Sequence, residues 1–155
     1  MKGVLLLKLA DLLEELPAKR FDYTVWVGPE WMGKEDLSCG TVACALGWAT
    51  TMSPLRRMGL HLDKSGEVGI KPTPANGLSP GDIYDQVLNS PFYAAAYAFG
   101  ISQDEACWLF SPYRRRIEGT DKPRGPRPGP NSSAKSVAKH IRKFVEWKRA
   151  QGKKR

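Results

Sequence analysis

The sequence predicts a mainly α-helical single domain with a small β-hairpin and a basic C-terminal helix. Three observations predict it. Leucines recur at helical spacing near the start, apolar residues recur at helical spacing near the end, and helix start and stop signals punctuate the stretch between. At 155 residues with 41% hydrophobic and 26% charged content, the chain is long enough for one domain with its own core.

The elements follow in order. Residues 2–16 read as a helix, with Leu5, Leu9, Leu12, Leu13 and Leu16 on one stripe and Pro17 as its stop. Phe21 to Val27 is aromatic and β-branched, a short strand or an extended segment on the core. The stretch Ser38 to Thr51 reads as a buried helix on which the rest is organised. On helical spacing its small residues Gly40, Cys44, Gly47 and Thr51 share a stripe that permits close approach, and Trp48 belongs to the core. Ser53-Pro54 starts a further turn, with Ser53 as N-cap and Gly59 as its end.

Leu60 to Ile70 reads as a hairpin turning at Asp63-Lys64-Ser65-Gly66. Residues 71–81 hold three prolines and two glycines and are loop. A short helix is expected over Asp82–Leu88 and another over Phe92–Phe99, closed by Gly100. Ser102 and Glu105 form a capping box ahead of Ala106, Cys107, Leu109 and Phe110, with Pro112 as the stop. Residues 119–130 hold four Pro and three Gly and read as a linker. Ser132 or Ser133 then caps a last helix whose stripe is Val137, Ala138, Ile141, Phe144 and Val145. The organisation expected is a compact α-rich unit over 1–118, a basic Pro/Gly-rich linker over 119–133 and a basic helix with its tail over 134–155.

Charge is unevenly placed. Residues 1–111 carry 9 Lys/Arg and 13 Asp/Glu, a net −4, whereas residues 112–155 carry 15 and 3, a net +12. That asymmetry points to an anionic partner. The bland alternative is a solubilising basic tail. Three cysteines are an odd count, with Cys39 and Cys44 close in sequence, so a reducing, cytoplasmic setting is expected rather than a disulfide framework. The apolar run Val4 to Leu7 is too short for a signal peptide or a membrane span.

Phe21-Asp22 with Trp26, then Cys39-Gly40-Thr41-Val42-Ala43-Cys44-Ala45-Leu46-Gly47-Trp48-Ala49, then Phe99-Gly100-Ile101-Ser102 with Glu105-Ala106 and Leu109-Phe110, carry a resemblance. Over roughly residues 5–111 the chain resembles a family of phage and bacterial proteins that share FD…W, CGTxxCxxGWA and LGLxxxEAxxLF patterns and have no assigned activity. Phe99 stands where the family commonly has Leu, and the basic third lies outside the match. The resemblance implies a phage or prophage context, hence a host-cell cytoplasm.

Binding is better supported than catalysis. Arg114, Arg115, Arg116, Lys139, Arg142 and Lys143 are candidates to neutralise phosphates, joined by Arg124, Arg127 and Lys135. Trp31 and Tyr113, in loops beside charge, are candidates to stack on bases or nucleotides. The leading expectation is a non-catalytic binding protein for nucleic acid, or for a nucleotide signal of host defence that it sequesters. A second is a Cys39-dependent hydrolase or transferase, in which a helix N-terminus activates the thiol, His61 or His140 serves as base and Asp63 orients His61. The structural alternative, Cys39 and Cys44 as small buried apolar residues, is the weightier one. A third is a protein-interaction factor whose last helix docks on a host protein. No metal-ligand spacing, phosphate-binding loop or hydrolase signature is present, so no metal and no cofactor are expected.

Overall fold

The computed structural model describes residues 1–25, 42–79, 90–112 and 127–152. Among them the protein is mainly α-helical. Six helices run α1 (Gly3–Glu15), α2 (Ala45–Ala49), α3 (Ser53–Arg57), α4 (Pro91–Phe99), α5 (Gln103–Phe110) and α6 (Ala134–Gly152). One antiparallel hairpin, β1 (Leu60–Leu62) with β2 (Val68–Ile70), lies between α3 and α4. The expected helix over 82–88 lies outside the described residues.

α1 and α6 make the most extensive contact between described elements. Leu6, Leu9, Ala10 and Leu13 are fully buried on α1, and Val137, Ala138, Ile141, Phe144 and Val145 are buried on α6. The α1 stripe is therefore rotated slightly from the expected one. Leu5, Leu12 and Leu16 sit partly buried at its flanks, because α1 also touches α2 and α4 and is apolar over a wide arc. Gly3 meets Val145 while Glu14 meets Arg142, so the two helices run antiparallel.

The Ser38–Thr51 stretch departs from expectation over 42–51, its described part. The helix there spans only Ala45–Ala49, and Cys44, with ψ −179°, is the extended N-cap. The reason is hydrogen bonding. Ala43 pairs with Phe21 in an isolated parallel bridge. The Ala43 amide donates to Arg20 O at 3.2 Å, the Asp22 amide to Ala43 O at 3.3 Å and the Cys44 amide to Val25 O at 2.9 Å. Amides committed to the 20–25 segment cannot serve a helix, so helix formation waits until Ala45. The stripe joining Cys44 to Gly47 and Thr51 does not form, since Cys44 precedes the helix and Thr51 follows it. All five α2 residues are buried, Trp48 included, and its indole Nε1–H donates to Arg20 O at 3.1 Å. Of the Phe21–Val27 segment, residues 21–25 are described: Phe21 makes the bridge, the chain turns at Tyr23–Thr24, and Tyr23 is buried with its phenol donating to Leu109 O at 2.9 Å.

α3 begins one residue earlier than its capping signal suggests. Met52 is the N-cap, with Ser53 and Pro54 already inside the helix. The hairpin turn is held by Asp63, whose Oδ1 accepts from the Ser65 amide, the Ser65 hydroxyl and the Glu67 amide at 2.7–2.9 Å. Burial by itself pushes the Asp63 carboxyl up, but these donors outweigh it and hold the group below its ordinary value.

The loop after β2 is organised by Asn76. Its Nδ2 donates to Met58 O at 2.9 Å and Lys71 O at 2.8 Å, and its Oδ1 accepts from the Thr73 and Leu78 amides at 3.0 Å each. The Tyr97 hydroxyl of α4 donates to the Asn76 carbonyl. Composition shows only a loop here, yet the Asn76 side chain fastens it to the ends of α3 and β2 and its carbonyl to α4.

α4 ends at Gly100 in the left-handed region, with the Ile101 amide donating back to Ala96 O at 3.0 Å, the closure that a glycine after a helix permits. The capping box is present: Ser102 Oγ accepts from the Glu105 amide at 3.1 Å and the Glu105 carboxylate accepts from the Ser102 amide at 2.9 Å. Ser133 caps α6, its hydroxyl accepting from the Ser136 amide at 3.2 Å. Of the Pro/Gly-rich stretch, residues 127–133 are described, and Arg127 fastens them to the body.

Gly59 is where a side chain is least tolerable. Its φ is +87°, and a Cβ there would lie 2.1 Å from Lys71 O and 2.8 Å from Asn76 Nδ2. Gly59→Ala is expected to destabilise by about 3–5 kcal/mol, the left-handed penalty plus overpacking against backbone. Gly77→Ala, at φ +68° with nothing within 4 Å, should cost only about 1–2 kcal/mol. Urea midpoints of the two variants check this. Equal losses would contradict it.

Candidate functional site

α6 is amphipathic by the ordinary rule, and burying its apolar stripe fixes where its charges go. Lys135, Lys139 and Lys143 recur every fourth residue and are all exposed. Successive members of such a row are separated by ~6 Å along the axis. None of the three makes an ion pair among the described residues. Glu146, one turn further on, is exposed as well and interrupts the positive ridge.

Arg142 does not belong to that ridge. It turns to α1 and donates from Nη2 to Asp11 Oδ1 at 2.6 Å and Glu14 Oε2 at 2.9 Å, and from Nε to Glu14 Oε1 at 3.2 Å. The Glu14 contact is two-pronged, the geometry a guanidinium favours. Hydrogen bonds from Arg142 hold the Glu14 carboxyl below its ordinary value, and those to Glu14 and Asp11 raise the guanidinium further. The pair is exposed, so it adds little stability, but the cation is already committed to two carboxylates. Lys148 is committed too, to Glu105 Oε1 at 2.5 Å.

Arg127 has a structural place. Its Nη2 donates to Trp108 O at 2.7 Å and its guanidinium lies 5.4 Å from the Trp108 ring centroid. It satisfies a carbonyl at the end of α5, where helix carbonyls lack internal partners. Of the cations expected to contact phosphate, the structure therefore brings Lys135, Lys139 and Lys143 together and sets Arg127 and Arg142 aside. Arg114, Arg115, Arg116, Arg124, Trp31 and Tyr113 lie outside the described residues.

Of the enzyme reading, Cys39 lies outside the described residues; among those described, the helix of this stretch is Ala45–Ala49. The thiol next to that helix is Cys44, which is buried; desolvation pushes it up to about 11, against weaker help from the Gly47 and Leu46 amides. His61 Nδ1 lies 3.0 Å from Gly59 O, so that nitrogen carries the proton and donates. Its other face borders a hollow of about 430 Å³ lined by His61, Asp63, Glu67, Gly69 and Lys71. Asp63 does not orient the ring, being occupied by its own turn. The second histidine, His140, is buried on α6 against Trp108, with ring centroids 4.3 Å apart. Its spacing from Val137 and Phe144 is that of an α6 core position, a signal outweighed by its polarity. No group of three or more His, Cys, Asp or Glu is arranged to hold a metal among the described residues. No described helix is long and apolar enough to cross a membrane.

Comparison with family models, with curated proteins and with solved structures finds no match to this chain.

In the folded protein, iodoacetamide at pH 8 is expected to modify Cys44 at least about 100-fold more slowly than in urea, because burial and a scarce thiolate act together. Mass mapping of the alkylated peptides measures it. Rapid native labelling of Cys44 would contradict a thiol enclosed in the core.

Proposed function

We propose that the protein is a non-catalytic binding protein for a phosphate-bearing polyanion, and that nucleic acid is the partner. The observation that carries this reading is the row Lys135, Lys139 and Lys143, exposed and without ion-pair partners among the described residues. A ridge ~6 Å per step suits a repeating backbone charge better than a compact ligand, which needs a concave site to enclose it. The strongly basic last third, net +12, supports the same reading. Flexible, hydrated lysines contribute phosphate contact rather than base readout, so affinity with little sequence preference follows. The phage context comes from the sequence resemblance alone.

Binding of labelled duplex and single-stranded DNA, titrated at two or more salt concentrations, tests the proposal. Affinity should fall steeply with salt, and Lys139→Glu with Lys143→Glu should reduce the magnitude of the log–log slope by about 2. Arg142→Gln should leave the slope nearly unchanged, since that cation is already paired with Asp11 and Glu14. A shallow slope, with affinity lost on changing Trp31 or Tyr113 instead, would transfer the reading to a small nucleotide. No binding to either class would sink it.

A further inference from the structure

His140 is the one buried histidine among the described residues, and its surroundings are unusual for a titratable group. Its relative exposure is 6%, and Nε2 has no hydrogen-bond partner. Its ring packs on the Trp108 indole at 4.3 Å, and that same indole holds the Arg127 guanidinium at 5.4 Å. Arg127 in turn reaches the last carbonyls of α5, Trp108 O at 2.7 Å and Ser111 O at 3.4 Å. Imidazole, indole and guanidinium thus form one stack joining α6, α5 and the segment that leads into α6.

The charged groups that act on His140 among the described residues are cations. Arg127 faces it from the segment before α6, and Lys143 lies on its own helix. α5 presents the Trp108 indole and backbone, its Glu105 being turned to Lys148. From α1 the acids Asp11 and Glu14 are held by Arg142. No carboxylate among the described residues is free to receive an imidazolium there.

We propose that His140 and Arg127 form an acid-opened latch: protonation of His140 expels the Arg127 anchor from the end of α5 while α6 stays on the core. Protonation adds a second cation to an indole that already holds one, and it leaves a new buried Nε2–H without an acceptor. Two responses can relieve this, release of α6 or release of the segment at 127–133. α6 is held by Val137, Ile141, Phe144 and Val145, all buried, whereas in the segment at 127–133 only Pro128 is buried and Arg127 supplies the hydrogen bonds to α5. The segment is therefore the part that yields. The direction agrees with the titration. Burial first, then Arg127, push His140 down to about 4 from 6.5, against a raising contact with the Trp108 backbone, and Lys143 adds to the lowering. A lowered histidine value means the closed form is fully favoured above about pH 6.5 and loses ground as pH falls toward 4.

Hydrogen exchange with mass spectrometry on the full chain at pH 7 and pH 4.5, corrected for intrinsic rates, tests the latch. Peptides covering 127–133 and the end of α5 should show opening increased by roughly several-fold or more at pH 4.5, while α1 changes far less. His140→Phe, which keeps an apolar ring on Trp108, should abolish the increase; His140→Gln serves if the Phe variant does not fold. Opening of α1 in step with the 127–133 segment would overturn the proposal. So would an acid response that persists in the folded variants, or an unchanged segment at pH 4.5.

Discussion

The fold depends on the antiparallel packing of α1 on α6. Leu6, Leu9 and Leu13 meet a face built from Val137, Ala138, Ile141, Phe144 and Val145, all with almost no exposure. These residues come from opposite ends of the described chain, so the contact carries a high loop-closure cost and gives its return only when everything between is in place. Burial of that apolar area must offset this cost. α2, buried on every side, and α4 complete the layer against α1.

This packing also decides which charges are available. By burying one stripe of α6 it aims Arg142 at α1 and leaves Lys135, Lys139 and Lys143 in solvent. A cation count over the last third therefore overstates what a partner meets. Arg127, Arg142 and Lys148 serve the fold, tying α5 to the segment before α6, α6 to α1, and α6 to the α5 capping box respectively. The same arrangement accounts for Glu105, which closes the N-terminus of α5 with one oxygen and receives Lys148 on the other.

Elements whose signals are local are legible in the sequence. The hairpin, the glycine closure at Gly100, the capping box at Ser102 and Glu105, and the stripe of α6 each arise from residues a few positions apart. The Ser38–Thr51 stretch reads as one helix because its composition permits one, and the hydrogen bonds that prevent it come from Arg20, Asp22 and Val25. Asn76 is invisible as an organiser for the same reason: its four partners are assembled by α3, β2 and their loop. At the candidate site, the lysine row is legible as spacing. The commitment of Arg142 to Asp11 and Glu14 is not, since helix pairing across more than a hundred residues has no local signature.

The central claim is that the basic last helix is a core element and presents its lysines from a fixed frame. Native-state hydrogen exchange in rising urea tests it most directly, because it reports the opening free energy of each helix separately. Amides in the middle of α1 and of α6 should converge on one opening free energy, equal to that of global unfolding. If α6 exchanges through a lower-energy opening while α1 keeps its protection, the helix is an appended tail, and the account of both the core and the exposed lysine row is wrong.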